Sequence, residues 1–197
     1  MKIKTLLLLL TAVTLSVSSY AQSTGYTPWQ VNFTGGYAAA SGSGTKGGLA
    51  ILFEPQYHIT DNFSAGLRFG TALTLKVALD NNGEEVTGGD FSIAGVASYL
   101  ATGDYYFQKQ PGSAFRPFAG IGVGYGKAAG VSATTTETDY TEDYQSKGGF
   151  SGMVRAGFDV SHFRLNLEYN LNPKTGRISN NYFGVNLGFY IGGGAKK

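Results

Sequence analysis

The feature that most constrains this sequence is an alternation of apolar and polar residues that recurs in eight separate segments. In the seventh segment, Phe163, Leu165 and Leu167 share one face, and Arg164 and Asn166 share the other. Successive side chains of a β-strand point to opposite faces of its sheet, so this period of two predicts strands with one apolar face. The predicted strands lie near residues 28–37, 49–59, 63–77, 93–107, 116–126, 150–160, 163–171 and 183–192.

The connections between these strands alternate in length. Short connections are predicted at 60–62, 108–115 and 161–162, and longer ones at 38–48, 80–91, 127–149 and 172–181. A meander with its short turns at one end and its long loops at the other is typical of an outer-membrane barrel. The predicted fold class is therefore all-β, an eight-stranded antiparallel up-and-down transmembrane β-barrel, with both termini on the short-turn, periplasmic side.

The start of the chain has the pattern of a cleaved secretory signal. Lys2 and Lys4 precede a mostly apolar stretch, and Ser19 and Ala21 are small residues at the positions that signal peptidase reads. We predict a signal peptide over 1–21 and an outer-membrane β-barrel domain over 22–197. Loss of the two lysines leaves equal numbers of basic and acidic residues, so the charge indicates no nucleic-acid partner. The absence of cysteine excludes disulfides and metal–thiolate sites.

The composition of the polar face indicates which face lies inside. That face is rich in Gly, Asn and Ser, and only 14% of the chain is charged. An eight-stranded barrel has an interior just wide enough for its own side chains, so small residues favour a lumen position. Gly120, Gly122, Gly124 and Gly126 are accordingly predicted to face the lumen, and the apolar face is predicted to contact lipid.

Aromatic residues of the apolar face are expected to form two belts, one at each membrane interface. Mainly aliphatic and small residues are expected between the belts. The periplasmic belt is predicted to comprise Trp29, Tyr57, Phe63, Tyr105, Phe107, Phe158, Phe163 and Phe189, and the other belt Tyr37, Tyr125, Phe150 and Phe183.

Charged residues of the polar face are predicted to pair across neighbouring strands. A two-residue turn at 161–162 and a three-residue turn at 60–62 determine which residues lie opposite each other. The predicted lumen pairs are Asp159–Arg164, Arg155–Glu168 and Glu54–Arg68. In a lumen closed to water, removing one partner leaves the other charge buried, at a cost on the order of several kcal/mol.

Two segments resemble a known family. TGDYYF (102–107) followed by FRPFAGIGVGYG (115–126) resembles the segment typical of small outer-membrane β-barrel proteins, the OmpX-like and opacity-protein group. The last strand is similar to the assembly signal of such barrels, here Tyr182, Gly184, Leu187 and Phe189, although residues 192–197 follow it where family members commonly end on an aromatic. The resemblance implies a monomeric outer-membrane protein. Its implied partners are outer-membrane lipid, lipopolysaccharide and the insertion machinery.

Three functions are compatible with such a barrel. A structural or surface-interaction role is favoured by the packed lumen and by the long extracellular loops. A narrow porin-like channel is the first alternative, although eight strands leave little free lumen. A lipid-modifying enzyme is the second, but His58 and His162 are both predicted at the periplasmic end, away from the rim where lipid A is presented. We therefore predict no catalytic residue, cofactor or metal site.

Overall fold

The computed structural model describes residues 26–41, 45–77, 91–107, 113–136, 139–174 and 179–193. Eight strands lie within these ranges: β1 (Trp29–Ala40), β2 (Thr45–His58), β3 (Phe63–Val77), β4 (Phe91–Tyr106), β5 (Phe115–Thr136), β6 (Asp139–Val160), β7 (Phe163–Leu171) and β8 (Tyr182–Gly192). No helix in the described part of the chain is long and apolar enough to cross a membrane. The predicted signal peptide lies outside the described residues.

The eight strands form one closed barrel. Each strand pairs antiparallel with the next strand in sequence, and β8 pairs with β1 from Gln30↔Gly192 to Ala40↔Tyr182. This confirms the predicted eight-stranded antiparallel barrel. Closure gives every strand two hydrogen-bonded neighbours over its paired length, which removes the open edges of a flat sheet.

On the barrel wall, the polar side chains are buried in the lumen and the apolar side chains are exposed on the outer face. On β7, Arg164 and Asn166 are 1% and 2% exposed. Leu167, which lies between Asn166 and Glu168, is 46% exposed. Ile51 of β2 reaches 74% exposure on the outer face. A water-soluble barrel buries its apolar face and solvates its polar one. The observed arrangement is the reverse, and it suits a hydrocarbon surrounding.

The short turns share one end of the barrel, which we call the short-turn end. Ser161–His162 joins β6 to β7 in two residues, and Ser161 has a φ of 54°. Two-residue hairpins need this left-handed conformation because it matches the twist of the flanking strands. The connections after β2 and β4 and the start of β1 lie at the same end, and the opposite end is the long-loop end.

The predicted long loop at 127–149 is wrong. β5 and β6 remain paired from Lys127↔Gly148 out to Thr136↔Asp139. β3 and β4 remain paired to Val77↔Phe91, whereas β7 ends at Leu171. Strand-forming Thr134–Thr136 and continued pairing on both sides of β5 explain the extension. The barrel is thus taller on one side, and we call the upper parts of β3 to β6, residues 72–77, 91–95, 128–136 and 139–148, the projecting wall. The loop predicted at 38–48 is shorter too, because β1 runs to Ala40 and β2 begins at Thr45.

A row of directly opposed residues places one aromatic on every strand of the outer face. In register order the row is Phe163, Phe189, Phe33, Phe53, Phe69, Tyr99, Tyr125 and Phe150, and we call it the aromatic ribbon. All eight side chains are exposed. Neighbouring rings from Phe189 to Tyr99 have centroids 5.1 to 6.1 Å apart.

The aromatic ribbon climbs from one end of the barrel to the other. It starts at Phe163, beside the turn of the short-turn end. Because Gly152 opposes Leu171, the same register brings Phe150 level with position 173, beyond the end of β7. This displacement along β7 reflects the strand tilt of about 35–45° that barrel closure requires. The two predicted belts are therefore joined by Phe33, Phe53, Phe69 and Tyr99, where the belt prediction has mainly aliphatic and small residues.

Candidate functional site

The lumen near the short-turn end contains three arginines and three carboxylates in one connected cluster. We call it the inner charge network: Glu54 on β2, Asp104 on β4, Arg116 on β5, Arg155 and Asp159 on β6, and Arg164 on β7. All six side chains are buried. Their formal charges cancel, so the network needs no counter-ion from solution.

Arg155 connects two carboxylates from different strands. Its Nη1 and Nη2 donate to the two Glu54 oxygens at 2.6 and 2.7 Å. Its Nε and Nη2 donate to the two Asp104 oxygens at 2.8 and 2.9 Å. The planar guanidinium fork suits paired contacts of this kind, which are among the stronger hydrogen bonds in proteins. Arg155 therefore fastens β6 to β2 and β4 across the lumen.

Arg164 extends the network towards the short-turn end. It donates from Nε and Nη2 to Asp159 at 2.8 and 3.2 Å, from Nη1 to Asp104 at 3.4 Å, and from Nη2 to the Tyr106 hydroxyl at 2.6 Å. Arg116 donates to Asp159 at 3.1 Å as well. Each carboxylate thus faces more than one arginine or polar donor.

A second charged pair lies apart from the network. Arg68 Nη2 donates to Glu168 Oε1 at 2.5 Å, and Arg68 Nη1 donates to Asn170 Oδ1 at 3.0 Å. The Asn170 amide donates back to Glu168 at 2.9 Å. Both charged side chains have no exposed surface.

The predicted registers agree with the structure, but two of the three predicted ion pairs do not. Asp159 lies opposite Arg164 and binds it, and Arg155 lies opposite Glu168 as the two-residue turn predicts. Arg155 nevertheless binds Glu54 and Asp104. Arg68 likewise binds Glu168 rather than Glu54. The lumen is narrow enough for a long arginine side chain to cross it, so the nearest carboxylate is not the one beside it in the ladder.

Two members of the network, Asp104 and Arg116, are absent from the predicted pairs. The alternation of β4 already places Asp104 on the inner face, and Arg116 has the same parity as Gly120 on β5. A search for every charge with inner parity, rather than for directly opposed charges, would have found both residues.

Tyrosines close the lumen at the short-turn end around Arg116. The guanidinium carbon lies 4.6, 4.9 and 5.6 Å from the ring centroids of Tyr26, Tyr106 and Tyr190. Tyr26, which precedes β1, is 1% exposed, and its hydroxyl donates to the Ser113 carbonyl at 3.2 Å. Arginine over aromatic faces is a favourable contact, worth up to about 2 kcal/mol when water is excluded. These rings seal the mouth beneath the charge network.

The four glycines of β5 lie at inward positions and make room for the network and for neighbouring strands. A Cβ at Gly120 would overlap the Asp104 carboxylate that binds Arg155, and a Cβ at Gly124 would overlap the Tyr99 carbonyl oxygen. At Gly122 and Gly126 the nearest atoms belong to Met153 and Ser151, at 3.1 and 3.0 Å. Gly124 is exposed, unlike Gly122 and Gly126.

One edge of the projecting wall, along the upper part of β6, is unpaired in the described part of the chain. β6 pairs with β7 only from Gly152 to Val160. In the described part of the chain, no strand pairs with the other edge of β6 over residues 139–151. An unpaired edge presents backbone donors and acceptors that another extended chain can use.

The family model for the outer membrane protein beta-barrel domain matches residues 5–190. The chain belongs to this family. Membership indicates the cell outer membrane as its location, which agrees with the apolar outer face. No curated protein sequence matches the chain closely enough to count as a relative.

Several solved structures are similar to this chain at low sequence identity. Neisserial surface protein A has a TM-score of 0.53 and 16% identity over 83% of this chain and 96% of that protein. The attachment invasion locus protein Ail of Yersinia pestis has a TM-score of 0.49 and 11% identity, covering 85% and 99%. OprG of Pseudomonas aeruginosa has a TM-score of 0.49 and 12% identity, covering 87% and 99%. The match to Neisserial surface protein A shows the barrel fold alone.

The two histidines lie at the short-turn end, as their sequence positions predict. His58 is fully buried, its Nε2 lies 3.0 Å from Gln30 Oε1, and its ring packs on Tyr106. His162 is exposed in the turn and packs on Tyr190. Among the described residues, no group of three or more histidine, cysteine or acidic side chains is arranged to hold a metal ion.

The four residues of the predicted assembly signal lie on both faces of β8. Tyr182 and Gly184 are buried on the inner face, and Leu187 and Phe189 are 59% and 50% exposed on the outer face. Phe189 stacks on Phe33 across the β1–β8 closure at a centroid distance of 5.4 Å. Its ring therefore contributes to closure, and its recognition by the insertion machinery stays a prediction.

Proposed function

We propose that this protein is a structural barrel of the outer membrane whose lumen carries no current and whose projecting wall mediates contacts at the cell surface. The single observation that carries this proposal is the inner charge network, which fills the lumen with buried, mutually neutralised side chains. A water-filled channel would hydrate such groups. The sealed mouth around Arg116 supports the same conclusion.

The proposed orientation places the projecting wall outside the cell and both termini in the periplasm. Barrels of this class have short periplasmic turns and longer extracellular loops. The short-turn end carries both chain ends of the barrel, and the wall rises from the opposite end. The unpaired edge of β6 gives the wall a surface that can add a strand from a partner. An enzymatic role has less support, since His58 is enclosed and His162 lies at the periplasmic end.

Conductance in planar bilayers tests the closed lumen. We expect purified barrels to give no steady current, because all six side chains of the inner charge network are buried and therefore do not line a path of bulk water. An ohmic current that scales with the amount of inserted, heat-modifiable protein would contradict the proposal and favour the narrow channel.

Cysteine labelling in intact cells tests the orientation. The chain has no cysteine, so Thr136→Cys at the tip of β5 and His162→Cys in the short turn each provide a single thiol. We expect a membrane-impermeant maleimide to label the first variant in intact cells and the second only after lysis. Labelling of His162→Cys in intact cells, with Thr136→Cys protected, would invert the proposed orientation.

A further inference from the structure

A trough runs along the outer face directly above the aromatic ribbon. Its floor is the next row of opposed residues, Gly35, Ile51, Thr71, Ala97 and Lys127 on β1 to β5. Small side chains at Thr71 and Ala97 leave a hollow of about 350 Å³ between β2, β3 and β4. Phe53, Phe69 and Tyr99 of the ribbon line the hollow from below.

The upper side of the trough is aliphatic. The row above its floor contains Leu49 and Leu73, which oppose each other and are 70% and 55% exposed. The row from Ile51 to Lys127 crosses three strand spacings, or about 14 Å. The trough is thus a shallow apolar groove on the outer surface, with the length of an extended hydrocarbon chain.

The upper end of the trough carries a positive charge. Lys127 is the one charged residue at an outward position among the described side chains of the eight strands. It is exposed, and no carboxylate of the described residues lies within ion-pair distance of it. An isolated lysine beside an uncharged lipid-facing surface attracts anionic headgroups.

A hydroxyl donor accompanies the lysine. Gly148 lies opposite Lys127 in the ladder, and the Tyr125 phenol covers Gly148 so closely that a Cβ there would overlap its hydroxyl. The Tyr125 hydroxyl and the Lys127 position are therefore neighbours on the same surface. Together they offer an ammonium and a hydroxyl, which suit phosphate oxygens.

The slope of the trough matches the orientation of a lipid in the outer leaflet. The trough parallels the aromatic ribbon, which descends from the long-loop end towards the short-turn end. Lys127 is at the high end, near the interface, and Ile51 and Gly35 are lower. A lipid with its phosphate at Lys127 would have its acyl chain descending into the hydrocarbon region.

We infer that this trough is a binding site for lipid A, with one phosphate at Lys127 and Tyr125 and one acyl chain between the aromatic ribbon and the Leu49–Leu73 row. This inference rests on the proposed orientation, which places Lys127 in the leaflet that contains phosphorylated glycolipid. It names a specific lipid site on a surface that otherwise offers only general solvation by hydrocarbon.

Native mass spectrometry of the folded full-length mature chain in micelles tests the site. The probes are lipid A, lipid A without its phosphates, and phosphatidylglycerol. We expect retention of lipid A above both other lipids, a roughly five-fold weaker affinity for Lys127→Ala, and recovery in Lys127→Arg. Ala97→Leu fills the trough and is expected to reduce retention. The matched control is Ala101→Leu, on the same strand and face but on the other side of Tyr99.

Equal retention of lipid A by the wild type, Lys127→Ala and Ala97→Leu would overturn the site. Equal retention of phosphatidylglycerol or of the dephosphorylated glycolipid would overturn the assignment to lipid A. Heat-modifiable migration of each variant confirms that its barrel is folded. A folded barrel that ignores lipid A refutes only the site, whereas inverted labelling of Thr136→Cys and His162→Cys refutes the orientation beneath it.

Discussion

Replacing Arg155 with methionine is expected to reduce the free energy of unfolding by about 3–5 kcal/mol, because it leaves Glu54 buried without an arginine partner and Asp104 with only its longer contact to Arg164. Arg155 donates two hydrogen bonds to each of these two carboxylates. Urea unfolding in micelles, followed by heat-modifiable gel migration, measures the change.

A variant that also removes the opposing charge separates electrostatics from packing. Adding Glu54→Gln to Arg155→Met removes the carboxylate whose only arginine partner is lost, and Arg116 and Arg164 stay balanced by Asp104 and Asp159. We expect this double variant to recover most of the lost stability, since it removes the unpaired charge rather than restoring the arginine. A loss below about 1 kcal/mol in Arg155→Met would mean that water reaches the network, because solvated ion pairs contribute only about that much.

Replacing Gly124 with valine is expected to prevent closure of most barrels in a refolding experiment. A Cβ at this position would overlap the Tyr99 carbonyl oxygen and lie 3.0 Å from the Leu100 Cα, so backbone rather than a flexible side chain would have to move. Separation of β4 from β5 breaks ladder hydrogen bonds on both sides of the site, and we expect a folded yield at least about ten-fold lower. The folded fraction on an unboiled gel measures it.

Gly95→Val is the matched control for this effect. Gly95 lies on the adjacent β4 at an outward position, where the nearest atom to a new Cβ is a Leu73 methyl at 3.3 Å. We expect a near-normal yield from this variant because the Leu73 side chain can rotate away. Equal yields for the two valine variants would show that the β5 glycines are not required for close strand approach.

The strand count, the faces and the turn registers could be predicted from sequence because each depends on local periodicity. Alternation over Phe163–Leu171 assigns every side chain of β7 to a face, and the two-residue turn before it sets the register with β6. Both properties are decided within a hairpin, so they need no knowledge of the closed barrel.

The ion-pair partners could not be predicted in the same way because they depend on barrel closure. Arg155 and Glu54 are far apart in sequence and meet across the lumen, and the same is true of Arg68 and Glu168. The register across β1 and β8 and the tilt of the strands determine which inward residues share a level. Neither quantity is visible in one hairpin.

The projecting wall and the aromatic ribbon could not be predicted from the sequence, for related reasons. Residues 127–149 are rich in Gly, Thr and charged residues, a composition that predicts a loop, whereas pairing of β5 with β4 and β6 holds residues 127–136 and 139–149 as strands. The ribbon is continuous only when seven strand registers are joined, from β7–β8 around the barrel to β5–β6, so its members Phe33, Phe53 and Phe69 look like isolated strand aromatics in the sequence.

The central claim is that apolar side chains face hydrocarbon while polar side chains fill the lumen, and spin labels on adjacent residues of β7 test it most directly. Single thiols at Leu167→Cys and Asn166→Cys, in a chain without native cysteine, carry the label in lipid bilayers. We predict that the label at 167 collides readily with oxygen and poorly with a water-soluble nickel complex, and that the label at 166 is shielded from both. Ready collision of the label at 166 with the nickel complex, together with shielding of the label at 167 from oxygen, would contradict the account.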